Sequence, residues 1–305
     1  MKILINPLIY VLVICIGFFL SLLNDRLFYL SIRGLSFIAK KLDKRRKRYV
    51  KANLDFIFEN TLSKDEKLKI LDRCYDNFIF VILNSLRLQF MNKDKYIAKF
   101  SSSNEELISQ YLHENKKIIF VAAHYGDWEA LARYVPYKYR NLNLHGIGRL
   151  TQFSSINKLM KNSREHFGAK FLDKKGAGRK LSKILHHENN VLALVIDQHI
   201  SEDEGIWVRM FDKDVTHTAI ASILSRKYNA PIIFIYITPN EFYSHYKIHF
   251  ELISEAIKGD NVKQDIHNMT QLQASYTQKI ISQNPSEWFW FHKRFKGKYK
   301  FIYES

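Results

Sequence analysis

The residue pattern best suited to chemistry is His124-Tyr-Gly-Asp-Trp-Glu129, a histidine and an acid with four residues between them. A carboxylate that holds an imidazole fixes its tautomer and stabilises the imidazolium formed when the ring takes a proton from a hydroxyl. Such a base needs no covalent enzyme intermediate. On a regular helix, residues five apart point about 140° away from one another, so the pair can meet only if His124 precedes the helix and Gly126 lets the chain turn. Asp127 is then positioned to cap the helix that carries Glu129. By spacing alone, a structural histidine fits as readily as a base.

Asp197-Gln198 follows the apolar run Val191-Leu-Ala-Leu-Val-Ile, where open α/β sheets build their sites, although a turn or cap is the plain alternative. The run Trp288-Phe-Trp-Phe-His-Lys-Arg294 pairs aromatic and cationic residues as at a membrane–water boundary; an edge strand or packed C-terminal tail fits equally, and His292 and Arg294 receive no chemical role. Competing motifs are missing: there is no His-Glu-x-x-His, no Gly-x-Ser-x-Gly and no P-loop, and Gly176-Ala-Gly-Arg179 is too short to cradle a nucleotide. The twelve histidines are scattered, and Cys15 and Cys74 form neither a disulfide framework nor a metal spacing. No metal or nucleotide cofactor is implied.

Short β-branched runs have to position these residues. Lys117-Ile-Ile-Phe-Val-Ala-Ala, Val191-Leu-Ala-Leu-Val-Ile and Pro231-Ile-Ile-Phe-Ile-Tyr-Ile alternate with helix-like stretches, which predicts an α/β fold with a mostly parallel central sheet. Ser63 followed by Glu66 signals a helix start, with the helix reaching towards Leu88. No repeat or domain boundary shows after about residue 50.

At the N-terminus, Ile3 to Leu23 is uncharged over about 21 residues, the length of a helix that crosses a hydrocarbon core. Residues 1–24 are therefore expected to be a transmembrane anchor, and 25–305 a catalytic domain. Arg26, Arg33, Lys40, Lys41 and the Lys44–Arg48 cluster follow the run, so the body is expected in the cytoplasm. Leu27, Leu30, Ile32, Leu35, Ile38 and Leu42 recur at helical spacing, as in a helix lying in an anionic interface or one packed on a core. The net charge of +17 calls for an anionic partner: nucleic acid, acidic phospholipid, a phosphorylated substrate or an acidic carrier protein.

The His124 block resembles the late acyltransferases of lipid A biosynthesis, the lauroyl and myristoyl transferase family, whose signature commonly reads His-x-Gly-Asn-Trp-Glu; Asp127 replaces that asparagine. The resemblance spans most of the chain in order: Arg48 to Leu54, the His124 block, Gly148-Arg149 with Asn157-Lys-Leu, Ser163-Arg-Glu-His-Phe-Gly, Val195-Ile-Asp197-Gln198, and Pro285 to Lys296. It implies a glycerolipid-acyltransferase-like fold at the inner membrane and transfer of an acyl group from an acyl carrier protein thioester to a hydroxyl of a lipid A precursor. In that reading His124 is the base, Glu129 supports it and Arg149 contacts phosphate or developing charge; Asp197, placed behind the dyad by its strand-end position, is the second candidate substrate-binding residue. A glycerophospholipid acceptor would use the same dyad. A nucleic-acid-binding protein with phosphate-contacting cations and base-stacking aromatics is the alternative outside enzymes; it leaves the ordered motifs unexplained.

Overall fold

The computed structural model describes residues 2–148, 154–173, 177–187 and 189–304. Helices α1 (Lys2–Ser21), α2 (Asp25–Leu42), α3 (Lys44–Phe58), α4 (Lys64–Arg87) and the short α5 (Lys93–Ile97) come first. Then β1 (Phe100–Ser103), α6 (Glu106–His113), β2 (Ile119–Ala122), α7 (Leu131–Lys138), β3 (Asn143–Gly148), α8 (Ser154–Glu165), β4 (Lys170–Asp173), α9 (Ala177–His186) and β5 (Asn190–Val195) alternate. A two-stranded ribbon of β6 (Ile206–Met210) and β7 (Lys213–His217) precedes α10 (Ile220–Tyr228), β8 (Ile232–Pro239), β9 (Tyr246–Ser254) and α11 (Val262–Gln283).

The central sheet has the order β1-β9-β8-β2-β5-β3-β4. Every neighbouring pair is parallel except β8 with β9. Successive residues feed cores on opposite faces: Ile119, Val121, Ile232 and Phe234 on one, Phe120, Ala122, Ile233 and Ile235 on the other. Burial on both faces is why these strands read as unbroken apolar runs. β2 and β5 lie side by side with Ala122 opposite Val195, and Ile196 N–H donates to Ala122 C=O at 2.9 Å. That register delivers the residues just after both strands to one place at the carboxyl edge.

The N-terminal segment differs from the expected anchor. A helix forms, but among the described residues no helix is long and apolar enough to cross a membrane. Part of α1 is instead committed to protein. A Cβ on Gly17 would meet the Leu86 carbonyl of α4 at 2.6 Å, and Phe18 packs edge-on against Phe90. Helix α2 buries Phe28, Ile32 and Ser36. Of the expected apolar stripe only Ile32 faces the protein; Leu27, Leu30, Leu35, Ile38 and Leu42 point outwards, with Phe37.

Candidate active site

His124 follows β2 in an irregular turn that only glycine permits. Gly126 has φ +56°, and a Cβ there would come within 1.8 Å of the Ile237 carbonyl. The C-terminal segment clamps the turn: Gly126 N–H donates to Glu287 C=O and Phe289 N–H to His124 C=O, both at 2.9 Å. Asn53 on α3 secures that segment, its Nδ2 donating to the carbonyls of Trp290 and His292 at 2.7 Å.

The carboxylate that touches His124 is Asp197. His124 Nδ1 lies 2.8 Å from Asp197 Oδ1, while the His124 backbone N–H (3.0 Å) and the Trp288 indole N–H (2.7 Å) both donate to Oδ2. Asp197 is 1% exposed, so its charge depends on these partners. Burial opposes ionisation, but attraction to the His124 imidazole and the hydrogen bonds outweigh it and hold the carboxyl well below the usual range. An ionised carboxylate can only accept, which places a proton on His124 Nδ1 and leaves Nε2 as the bare, basic nitrogen.

Glu129, expected to hold His124, is engaged elsewhere. It lies in a 3₁₀ turn (Trp128–Ala130) and takes a bidentate pair from Arg164 of α8, at 2.8 and 2.7 Å. Burial opposes its ionisation too, and Arg164 overcomes it, lowering the carboxyl to about 2. Asp197, read from sequence as lying behind the site, thus takes the position in contact with the imidazole. Asp127 occupies the expected cap position but makes no cap bond with its side chain; it is buried, accepting from Asn84 Nδ2 at 2.9 Å. Arg149 lies outside the described residues.

Two groups without a sequence assignment stand beside the base. Gln198 Nε2 is 3.2 Å from His124 Nε2 and 3.1 Å from His292 Nε2, and the two imidazole centroids are 4.9 Å apart. The Trp288 run is a packed tail: Trp288 and Trp290 are fully buried, and Phe289 packs on His124 and Trp128. The membrane-boundary reading of these tryptophans is therefore corrected, because their indoles are used inside the fold. Trp288 and Arg164 each lie in a sequence block that carries the family resemblance, but their partners are distant in sequence and their roles emerge only on folding. Among the described residues no three His, Cys, Asp or Glu side chains converge as a metal-binding group.

A half-buried, carboxylate-held histidine at a strand end can remove a proton from a bound hydroxyl. Residues 2–297 match the family model described as bacterial lipid A biosynthesis acyltransferase. The chain belongs to that family. This lipid A acyltransferase is accordingly an enzyme that transfers an acyl group, with a lipid A precursor as substrate. No curated protein sequence matches it significantly.

Proposed function

We propose that this acyltransferase carries out secondary acylation: an acyl group passes from an acyl carrier protein thioester to a hydroxyl on an acyl chain of the lipid A precursor. The observation that carries the mechanism is the 2.8 Å contact between His124 Nδ1 and Asp197 Oδ1, which leaves His124 Nε2 as the base. In this reading His124 Nε2 takes the acceptor proton as the oxygen attacks the thioester carbon. The C–O bond forms and the C–S bond breaks. The imidazolium then returns its proton to the departing thiolate, and Asp197 stabilises the imidazolium throughout. Glu129 acts through Arg164, fixing α8 against the turn that carries His124. Arg149 remains the candidate for a phosphate or the developing charge.

Membrane attachment is part of the proposal. Val11, Leu12, Phe18 and Phe19 of α1, Leu22 just after it, and Leu30, Phe37, Ile38 and Leu42 of α2 are more than two-fifths exposed. Each such side chain gains roughly 1.5–3 kcal/mol on full burial, so even partial insertion of this face favours a bilayer. Residues 1–24 then serve as the anchor and 25–305 as the catalytic unit on the cytoplasmic side of the bacterial inner membrane, held there also by the cations of α2 and α3.

The test is an assay of purified protein with acyl carrier thioester and two acceptors, a lipid A precursor bearing hydroxyacyl chains and a lysophospholipid. Acylation of the first supports the proposal. Acylation of the lysophospholipid alone refutes the proposed acceptor.

A further inference from the structure

The mechanism above leaves the chain of contacts from His124 to Gln198 to His292 unused. Its hydrogen-bond directions follow from charge. Because neutral His124 carries its proton on Nδ1, facing Asp197, its Nε2 has only a lone pair to offer Gln198. The carboxamide must therefore present its NH2, not its oxygen, and that group has a second hydrogen. The second goes to His292 Nε2, which accepts only while the ring is neutral. Burial pushes His292 down to about 3, so it stays neutral in any ordinary buffer. Both ends of the arrangement are anchored: Asn53 Nδ2 holds the His292 carbonyl at 2.7 Å, and buried Arg294 Nη1 donates to the Gln198 carbonyl at 3.2 Å. Gln198 itself is exposed, and its Nε2 stands beside the His124 Nε2 that an acceptor hydroxyl must reach.

We propose that Gln198 is a catalytic hydrogen-bond donor to the oxyanion of the tetrahedral intermediate, and that His292 is the residue that positions it. An acceptor hydroxyl that bonds to His124 Nε2 takes the place of one Gln198 N–H. The attacked carbon must then lie beside that hydroxyl oxygen, so the released N–H is left close to the thioester oxygen where negative charge develops. The other N–H stays on His292, which keeps the carboxamide from swinging away. Gln198 transfers no proton; it is a fixed dipole that needs little reorientation as charge appears. A hydroxyl entering the site replaces the one donor it displaces, so neither imidazole is left without a partner.

This inference rests on the acyl-transfer reading, and its test keeps the two apart. Steady-state acyl transfer from carrier thioester to lipid A precursor is measured for wild type, His124→Ala, Gln198→Ala, Gln198→Glu, His292→Ala and His292→Asn. Loss of one oxyanion donor predicts a kcat about 100- to 1000-fold lower for both Gln198 variants, with KM changed little. Glu retains the shape of Gln but not its N–H, so it separates the donor from mere packing. His292→Ala is expected to lower kcat about tenfold or more, and His292→Asn to recover much of it by restoring an acceptor. Wild-type kcat in Gln198→Ala or Gln198→Glu, with His124→Ala inactive, overturns the donor role alone. His292→Ala and His292→Asn equally impaired overturns the positioning role. A wild-type protein that transfers no acyl group overturns the acyl-transfer reading and this inference with it.

Discussion

His124 Nδ1 and Asp197 Oδ1 stand 2.8 Å apart although they are 73 positions apart in the chain. The contact exists because β2 and β5 are adjacent and parallel, so the residues that leave their carboxyl ends meet. The indole of Trp288 completes the carboxylate's partners from a third part of the sequence.

Replacing Asp197 with Asn removes the charge that fixes the His124 tautomer and stabilises its imidazolium. Turnover is expected to fall by roughly two to four orders of magnitude while the fold persists. The double variant with His124→Ala is expected to be little worse than His124→Ala alone, because the two act as one unit. Losses that multiply in steady-state kinetics would contradict this pairing.

Glu129 and Arg164 form a mostly buried pair, with side chains 17% and 18% exposed. Removing either partner leaves a charge without compensation, so Glu129→Ala or Arg164→Ala is expected to lower stability by about 3–5 kcal/mol. Glu129 is depressed to about 2 when folded. Its contribution is thus complete above the ordinary carboxyl range near 4.5 and is lost as pH falls towards 2. Thermal melts between pH 6 and 3 check this: the wild type is expected to lose more than Glu129→Gln does, and parallel curves would count against it.

Asp127 runs the opposite way. Burial raises its carboxyl to about 6, against the pull of Arg133 and Asn84. A folded value above the unfolded one means stability that is present below about pH 4 and lost as pH rises to about 6. Asp127→Asn removes the titration, and asparagine is the residue common in the family signature. Over pH 4 to 6 the melting temperature of the variant is expected to rise relative to wild type; an unchanged difference would rule out this source.

Helix α2 turns Leu30, Phe37, Ile38 and Leu42 outwards. Substituting Phe37 and Ile38 with Asp is expected to weaken co-sedimentation with vesicles containing anionic phospholipid by at least about tenfold, since it removes apolar contact and adds like charge at the surface. Unaltered binding would place the membrane contact elsewhere.

The central sheet was legible because β2, β5 and β8 are buried on both faces and so carry continuous apolar residues. The edge strand β1, Phe100-Ser-Ser-Ser, has no such pattern, and only its pairing with β9 reveals it. His124 was legible from its motif and from Gly126, where a positive φ coincides with an Ile237 carbonyl that leaves no room for a Cβ. Its carboxylate partner was not. Proximity in sequence favours Glu129, whereas strand register selects Asp197, and register depends on contacts between segments far apart in the chain. The Trp288 run shows the same limit: composition places tryptophan beside cations at an interface, and only packing shows both indoles turned inwards.

The central claim is that acyl transfer runs directly from thioester to hydroxyl, with His124 as base. Its most direct test is incubation of the protein with labelled acyl carrier thioester, with and without the lipid A precursor, followed by denaturation and separation of protein from lipid. The prediction is no label on the protein in either case, label on the lipid when it is present, and none on the lipid with His124→Ala. A stoichiometric acyl-enzyme adduct formed without acceptor, or full transfer by His124→Ala, would contradict it.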